Sequence, residues 1–242
     1  MDKTLQDRVA IITGAAGDIG MAMAERFAAA GARVALVDRI VSTLKDSFAV
    51  ECDVSDEEQV RAAVARIATP HGAIHILVNN AAADTPKSRV ADLALEDWQK
   101  HFAVNVTGAF LMAKHAIPHL RAAGGGVVLN IASQLGRVTS PGSAAYSASK
   151  AALISLTRSI ALDHAADHIR AVSLSPGAVM TSRLTRRYGS EDAVNRDLAG
   201  RHPIGRLGTP QEVADAALFL ASNEASFFTG VDVLMDGGYT AV

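Results

Sequence analysis

The 242-residue sequence predicts an α/β fold: one domain on a doubly wound parallel sheet of about seven strands, with helices on both faces. Three observations lead there. Short apolar runs alternate with longer helical patterns along the whole chain. Most of those runs are continuously apolar rather than alternating, as strands covered on both faces must be. No linker, repeat or low-complexity tract interrupts the rhythm.

Taken in order, the strands fall at residues 9–12, 34–37, 48–52, 74–78, 127–131, 171–174 and 231–235. The helices fall at 19–30, 57–68, 96–122, 143–164 and 210–221. Asp56 supplies an N-cap signal and Gly31 a stop signal. The stretch 180–208 is rich in Arg and Gly and lacks a sustained apolar stripe. Following a strand's carboxyl end, where ligands bind in such sheets, it is a candidate lid. The 14 residues between Asp38 and Asp53, with 40–46 among them, leave room for only a short crossover.

Composition excludes several classes of function. Lys and Arg number 23 against 25 Asp and Glu, a net charge of −2, which argues against a protein that grips nucleic acid. The single cysteine, Cys52, excludes an internal disulfide and a Cys-based zinc cluster. No signal-peptide pattern opens the chain and no apolar run approaches ~18 residues. A cytoplasmic protein without a membrane partner is expected.

The first strand runs into Thr13-Gly14-Ala15-Ala16-Gly17-Asp18-Ile19-Gly20 and then a helix. Glycines there permit a tight turn, close backbone approach and close helix–strand packing. The helix N-terminus then offers free N–H groups to a pyrophosphate, the logic of the Rossmann fold. No Gly-Lys-Ser/Thr follows, so a P-loop is excluded. Asp38 ends the second strand, where an acidic side chain accepts hydrogen bonds from an adenosine ribose. A 2′-phosphate would meet like charge, so Asp38 favours NAD over NADP; Arg39 beside it could stack on adenine or compensate a phosphate.

Tyr146-Ser147-Ala148-Ser149-Lys150 places Lys150 one helical turn beyond Tyr146 on the same face. A nearby ammonium favours the phenolate, tuning the phenol to exchange a proton with an alcohol or carbonyl. The ordinary alternative is an exposed helix start.

At these residues the sequence resembles the short-chain dehydrogenase/reductase family, in its single-domain branch. The shared motifs are the 13–20 turn, Asp53-Val54, Asn79-Asn80-Ala81, Asn105, Ser133, Tyr146 with Lys150, Pro176-Gly177 and Asp236-Gly237-Gly238. Ser133 lies 13 positions before Tyr146 and Asn105 28 before Ser133, in the family's order. The resemblance implies that Tyr146 is the general acid/base and that Ser133 hydrogen-bonds the substrate oxygen. It implies that Lys150 holds the nicotinamide ribose, and that Asn105 positions a water in a proton relay. Asp53 and Val54 would contact adenine, and Asn80, Ala81 and Ala82 would border the cofactor. Pro176, Gly177, Val179 and Thr181 would border the nicotinamide, with Gly14, Gly17, Asp18, Ile19 and Gly20 at the pyrophosphate. It further implies a homotetramer.

The sequence departs from the family's pattern at three places. Asp18 replaces a usual glycine and adds negative charge near the pyrophosphate, Ala82 replaces another, and Ser173 replaces an asparagine as a packing change. Around the reacting groups, Gln134, Leu135, Ala83, Val138, Met180 and Leu184 are expected pocket walls. Arg183, Arg186 and Arg187 form either a solvated face of a lid helix or a site for an anionic substrate. The pairs His115/His119 and His164/His168 have metal-like spacing but lack a third ligand. No elbow motif surrounds Ser133, so a hydrolase triad fails. The expected activity is NAD-dependent interconversion of a small secondary alcohol (polyol, sugar or cyclic alcohol) and its ketone. The alternatives are a 3-oxoacyl thioester (acyl-carrier) reductase and a non-catalytic dinucleotide-binding regulator.

Overall fold

The computed structural model describes residues 3–42 and 48–241. Seven parallel strands form one sheet: β1 (Val9–Thr13), β2 (Arg33–Asp38), β3 (Ala49–Glu51), β4 (Ile76–Asn79), β5 (Gly126–Ile131), β6 (Ile169–Pro176) and β7 (Asp232–Met235). They lie in the order β3-β2-β1-β4-β5-β6-β7. The order reverses between β1 and β4, and this switch point opens a crevice at the strands' carboxyl ends. The short crossover expected over 40–46 lies partly outside the described residues.

Alternate residues of β1 enter two cores. Ala10 and Ile12 pack with α1 (Asp18–Ala29) and α8 (Pro210–Ala221). Val9 and Ile11 pack with α2 (Glu57–His71) and α4 (Ala109–Ala122). A strand buried on both faces has no polar positions to spare, which is why the apolar runs are unbroken.

The boundary signals act locally. The Asp56 carboxylate accepts the Gln59 N–H at 3.1 Å and caps α2. Thr209 and Glu212 form a reciprocal capping box at α8, with Pro210 in its first turn. Gly31 takes up φ +94° after α1, as a helix stop requires.

The single helix expected over 96–122 is interrupted. α3 (Leu95–Phe102) passes through a π-helical stretch, Ala103–Gly108, before α4 begins. Within it Asn105 is anchored to Ala83 and Ser149, and Gly108 packs closely on Val54: a Cβ there would lie 2.7 Å from Val54 Cγ2. The helix over 143–164 appears as α5 (Ala144–Asp163). The candidate lid is more regular than its sequence suggests. It holds α6 (Ser182–Tyr188) and α7 (Glu191–Leu198), pinned by the buried Val194. Among the described residues, no helix is long and apolar enough to cross a membrane.

Candidate active site

A cleft of about 450 Å³ runs along the carboxyl edge of the sheet, from Gly14, Gly17, Gly20 and Asp38 at one end to Ser133, Tyr146 and Lys150 at the other. The turn after β1 is shaped by close approach. Gly14 has φ +64°, and a Cβ on it would lie 2.8 Å from Ala81 Cα; one on Gly20 would lie 2.3 Å from the Gly14 carbonyl oxygen. The Asn80 amide donates to the Thr13 and Gly14 carbonyls at 3.0 Å each. Thr13 Oγ1 in turn accepts the backbone N–H groups of Asn80 and Ala81. Thr13 is thus a clamp that the motif reading passed over. Asp38 Oδ2 accepts the Ala16 N–H at 3.0 Å, which ties the end of β2 to the turn.

Lys150 is 2% exposed and donates to the Ile131 carbonyl at 2.7 Å. Burial, joined by the positive charge of Arg183, lowers its ammonium to about 7. Its Nζ lies 5.8 Å from the Tyr146 ring centroid. Ser133 Oγ accepts the Leu135 N–H at 3.2 Å, which leaves its own proton free to donate.

Asn105 does not line the cleft; it stands behind it, 1% exposed. Its Oδ1 accepts the Ala83 N–H at 2.8 Å, and its Nδ2 donates to Ser149 Oγ at 2.9 Å. Ser149 then donates to the Tyr146 carbonyl at 2.8 Å, so Asn105 braces the first turn of α5.

His101 is a site neighbour that the sequence reading missed. It lies in the cleft wall with its ring edge-on to Tyr146, centroids 5.8 Å apart, and Nε2 2.9 Å from Thr85 Oγ1. Burial first, then Arg183, lowers its imidazole below the ordinary value. Its i,i+4 relation to Asn105 was the available signal.

Of the other expected cofactor neighbours, Asp18, Ile19, Ala82, Pro176, Gly177, Val179 and Thr181 line the cleft. Arg39, Asp53, Val54 and Ala81 do not. Arg39 is exposed, and Asp53 accepts the N–H and hydroxyl of Ser55. Val54 and Ala81 line a smaller void with Asn105. Of the expected substrate walls, Gln134, Leu135 and Leu184 are present, whereas Ala83, Val138 and Met180 are not. Gln134 Oε1 is buried without a hydrogen-bond partner.

The sequence departures have specific partners. Asp18 Oδ2 accepts both the N–H and the hydroxyl of Ser182, at 3.1 and 2.8 Å, and links the phosphate-binding turn to α6. Ser173 is more than a packing change: with Ser175 it donates to the buried Asp232 Oδ1, at 2.8 and 2.6 Å, while Arg137 holds Oδ2 at 2.6 Å.

Arg183 and Arg187 are not a freely solvated lid face. Both line the cleft, each side chain 34% exposed, and both reach Asp84 Oδ1, Arg183 at 3.1 Å. Arg183 also donates to the Ala83 carbonyl, and Arg187 to that of Thr85. Burial opposes the Asp84 charge, but the Arg183 hydrogen bond and the surrounding guanidinium charges hold its carboxyl below the usual range. Arg186 points away, with Ser182 Oγ at 3.4 Å. Among the described residues no three His, Cys, Asp or Glu side chains gather to hold a metal; His115 pairs with Glu57 and His164 with Asp167.

Comparison with known proteins agrees with this geometry. Residues 14–240 match a family model described as Enoyl-(Acyl carrier protein) reductase. The chain is 40% identical to cis-4-hydroxycyclohexanecarboxylate dehydrogenase of Sinomonas cyclohexanicum, over the whole of both chains. It is 40% identical to 2-(R)-hydroxypropyl-CoM dehydrogenase of Xanthobacter autotrophicus, over 97% of this chain and 99% of that one. It is 37% identical to the NAD-dependent glycerol dehydrogenase of Listeria innocua, over 99% and 96%. Among solved structures, ligand-free aldohexose dehydrogenase of Thermoplasma acidophilum superposes with a TM-score of 0.94 at 33% identity, over 100% and 97% of the two chains. Likeness of this extent, along the full length, makes the chain a member of the short-chain dehydrogenase/reductase family, an oxidoreductase of CH–OH groups that works with a nicotinamide dinucleotide.

Proposed function

We propose that the chain is an NAD-dependent dehydrogenase of small secondary alcohols, with Tyr146 as general acid/base. The observation that carries this reading is one continuous cleft that joins Tyr146, Ser133 and Lys150 to Gly14, Gly17, Gly20 and Asp38. The residues fit a dinucleotide. Gly14 and Gly20 leave no room for a Cβ, so backbone N–H groups are what the turn offers a phosphate. Asp38 lines the far end as a carboxylate, suited to a ribose diol and opposed to a 2′-phosphate.

The bound dinucleotide supplies a hydride acceptor, so the alcohol gives up a hydride from carbon and a proton from oxygen and becomes a ketone. Tyr146 takes that proton. While it carries its proton, which burial holds only up to about pH 7, Lys150 favours negative charge on the phenol oxygen. Ser133 donates to the substrate oxygen as its charge changes. Asn105 acts through Ser149, holding the turn that carries Tyr146. The α6–α7 segment forms the lid, and Leu135 and Leu184 supply apolar wall for a compact or cyclic body. The named substrates of the relatives, from a ring alcohol to glycerol, fall in this class. The description of the matched family model favours a second reading, an acyl-carrier reductase, against which Asp38 counts through its bias from NADP. A homotetramer is supported by exposed apolar side chains, Phe227 ahead of β7 and Leu162 in the last turn of α5.

The test is NADH formation, read by absorbance, with purified protein, NAD or NADP, and a panel of secondary alcohols. Tyr146→Phe is expected to lower turnover by about 10²–10⁴-fold while NAD affinity stays near that of the parent. Wild-type turnover in that variant overturns the assignment. Cofactor binding without any turnover on the panel favours a regulator.

A further inference from the structure

We propose that Arg183 and Arg187 form an anion subsite at the substrate end of the cleft, and that the preferred substrates are secondary alcohols bearing a carboxylate. The alcohol points to Tyr146 and Ser133, and the carboxylate to the two guanidiniums. This deepens the dehydrogenase reading and rests on it for the fate of the alcohol.

Charge at this end is unbalanced. Arg183, Arg187 and Lys87 line the wall, and among the described residues Asp84 is the one carboxylate lining it beside them; Arg201 is already paired with Asp197. Asp38 lies at the other end, with the phosphate-binding turn, and the Asp18 carboxylate between is already engaged by the N–H and hydroxyl of Ser182. Both guanidiniums converge on the same oxygen of Asp84. Each carries five N–H donors, and beyond Asp84 the two bind, among the described residues, only the Ala83 and Thr85 carbonyls. Most of their donors are therefore free for a second acceptor.

Asp84 also shows which anion the pair accepts. It is a carboxylate already seated between two cleft-lining guanidiniums, and a substrate carboxylate has the same shape and donor demand. Arg recognises such a group through paired, charge-assisted hydrogen bonds. Only 34% of each side chain is exposed, so water screens the pair less than it would a surface pair. The positive charge of Arg183 is felt at both Lys150 and His101, which places the subsite within electrostatic reach of the reacting groups. In the same cleft Leu135 and Leu184 supply apolar wall for the carbon skeleton. The resulting ligand is a compact hydroxy acid.

Two measurements test this. In the first, kcat/KM is compared for 4-hydroxycyclohexanecarboxylate and its uncharged carboxamide, with NAD. The parent protein is expected to prefer the carboxylate by roughly 10- to 100-fold, mostly in KM. In Arg183→Met and Arg187→Met that ratio should fall toward one, and Arg183→Lys should restore part of it. Asp84→Asn, which removes the internal competitor, should raise it. In the second, calorimetry on the protein loaded with NADH compares cyclohexanecarboxylate with cyclohexanecarboxamide, neither of which can react. The carboxylate should bind and Arg183→Met should weaken it by at least tenfold. A parent that shows no preference for the carboxylate, or a ratio unmoved by both Met variants, overturns the subsite while the alcohol reading stands. Carboxylate binding without oxidation of either alcohol upholds the subsite and overturns the dehydrogenase reading.

Discussion

Replacing Lys150 with Met should end turnover and yet make the folded chain harder to unfold at neutral pH. Lys150 is almost fully buried, and its ammonium falls from 10.5 to about 7 on folding. A difference of about 3.5 units corresponds to about 5 kcal/mol, because each unit carries about 1.4 kcal/mol. Between pH 7 and 10.5 the unfolded chain binds the proton that the folded chain has lost, so stability rises with pH across that window. The burden is fully present below pH 7, about 4 kcal/mol at pH 7, about 2 at pH 9, and gone above 10.5. Met removes it but leaves the Ile131 carbonyl without its donor, at a cost of about 1–3 kcal/mol. The net gain at pH 7 is therefore about 1–3 kcal/mol, or about 3–9 °C in Tm for a chain of this length. By pH 9 the net effect should fall by about 2 kcal/mol, to between about +1 and −1 kcal/mol. Thermal unfolding of both proteins at pH 7 and pH 9 measures this. A variant less stable at both values, by the same margin, would refute the reasoning.

Two further outcomes follow from contacts described above. Asp38→Ala should weaken NAD binding by roughly tenfold or more and narrow the NAD/NADP ratio of kcat/KM; an unchanged ratio would assign the preference to Arg39 or the turn. Asp232→Ala strands the hydroxyls of Ser173 and Ser175 in the core and should lower stability by about 2–4 kcal/mol in urea unfolding. A loss under about 1 kcal/mol would mean that the two serines find other partners.

What could be read ahead of the structure was what short stretches of chain decide for themselves. Burial on both faces forces continuous apolar strands, so β1, β2 and β5 were visible without any tertiary contact. Asp56 caps a helix three residues away, and the Tyr146–Lys150 spacing is a property of one helical turn. The rest depends on contacts between distant segments. Asp18 meets Ser182, Ser173 meets Asp232, and Arg183 meets Ala83 only after the sheet has assembled. None of these pairs leaves a periodic trace. Asp53 and Val54 show another case: the motif was legible, whereas the contacts of its side chains with Ser55 and Gly108 were not. The π-helical stretch leaves a weak trace, since Val104, Asn105, Val106, Thr107 and Gly108 are poor helix formers, but such residues do not specify a π turn, and its partners lie elsewhere.

That stretch governs which changes in chain length the protein can absorb. A loop takes up an inserted or deleted residue by rearranging, and its neighbours keep their places. Inside 103–108 the count is fixed at both ends: Met112, Ala116 and Leu120 are locked in the core, and Asn105 is locked to Ala83 and Ser149. A π turn holds one residue more than the α turn it replaces, so deleting one residue here would let the helix relax to regular α geometry with α3 and α4 near their present phase. The loss would fall on the bulge itself, carrying the Asn105 side chain off Ala83 and Ser149. A lesion that improves the helix as a helix would thus remove the brace on the first turn of α5, so the segment's length is constrained along with its composition.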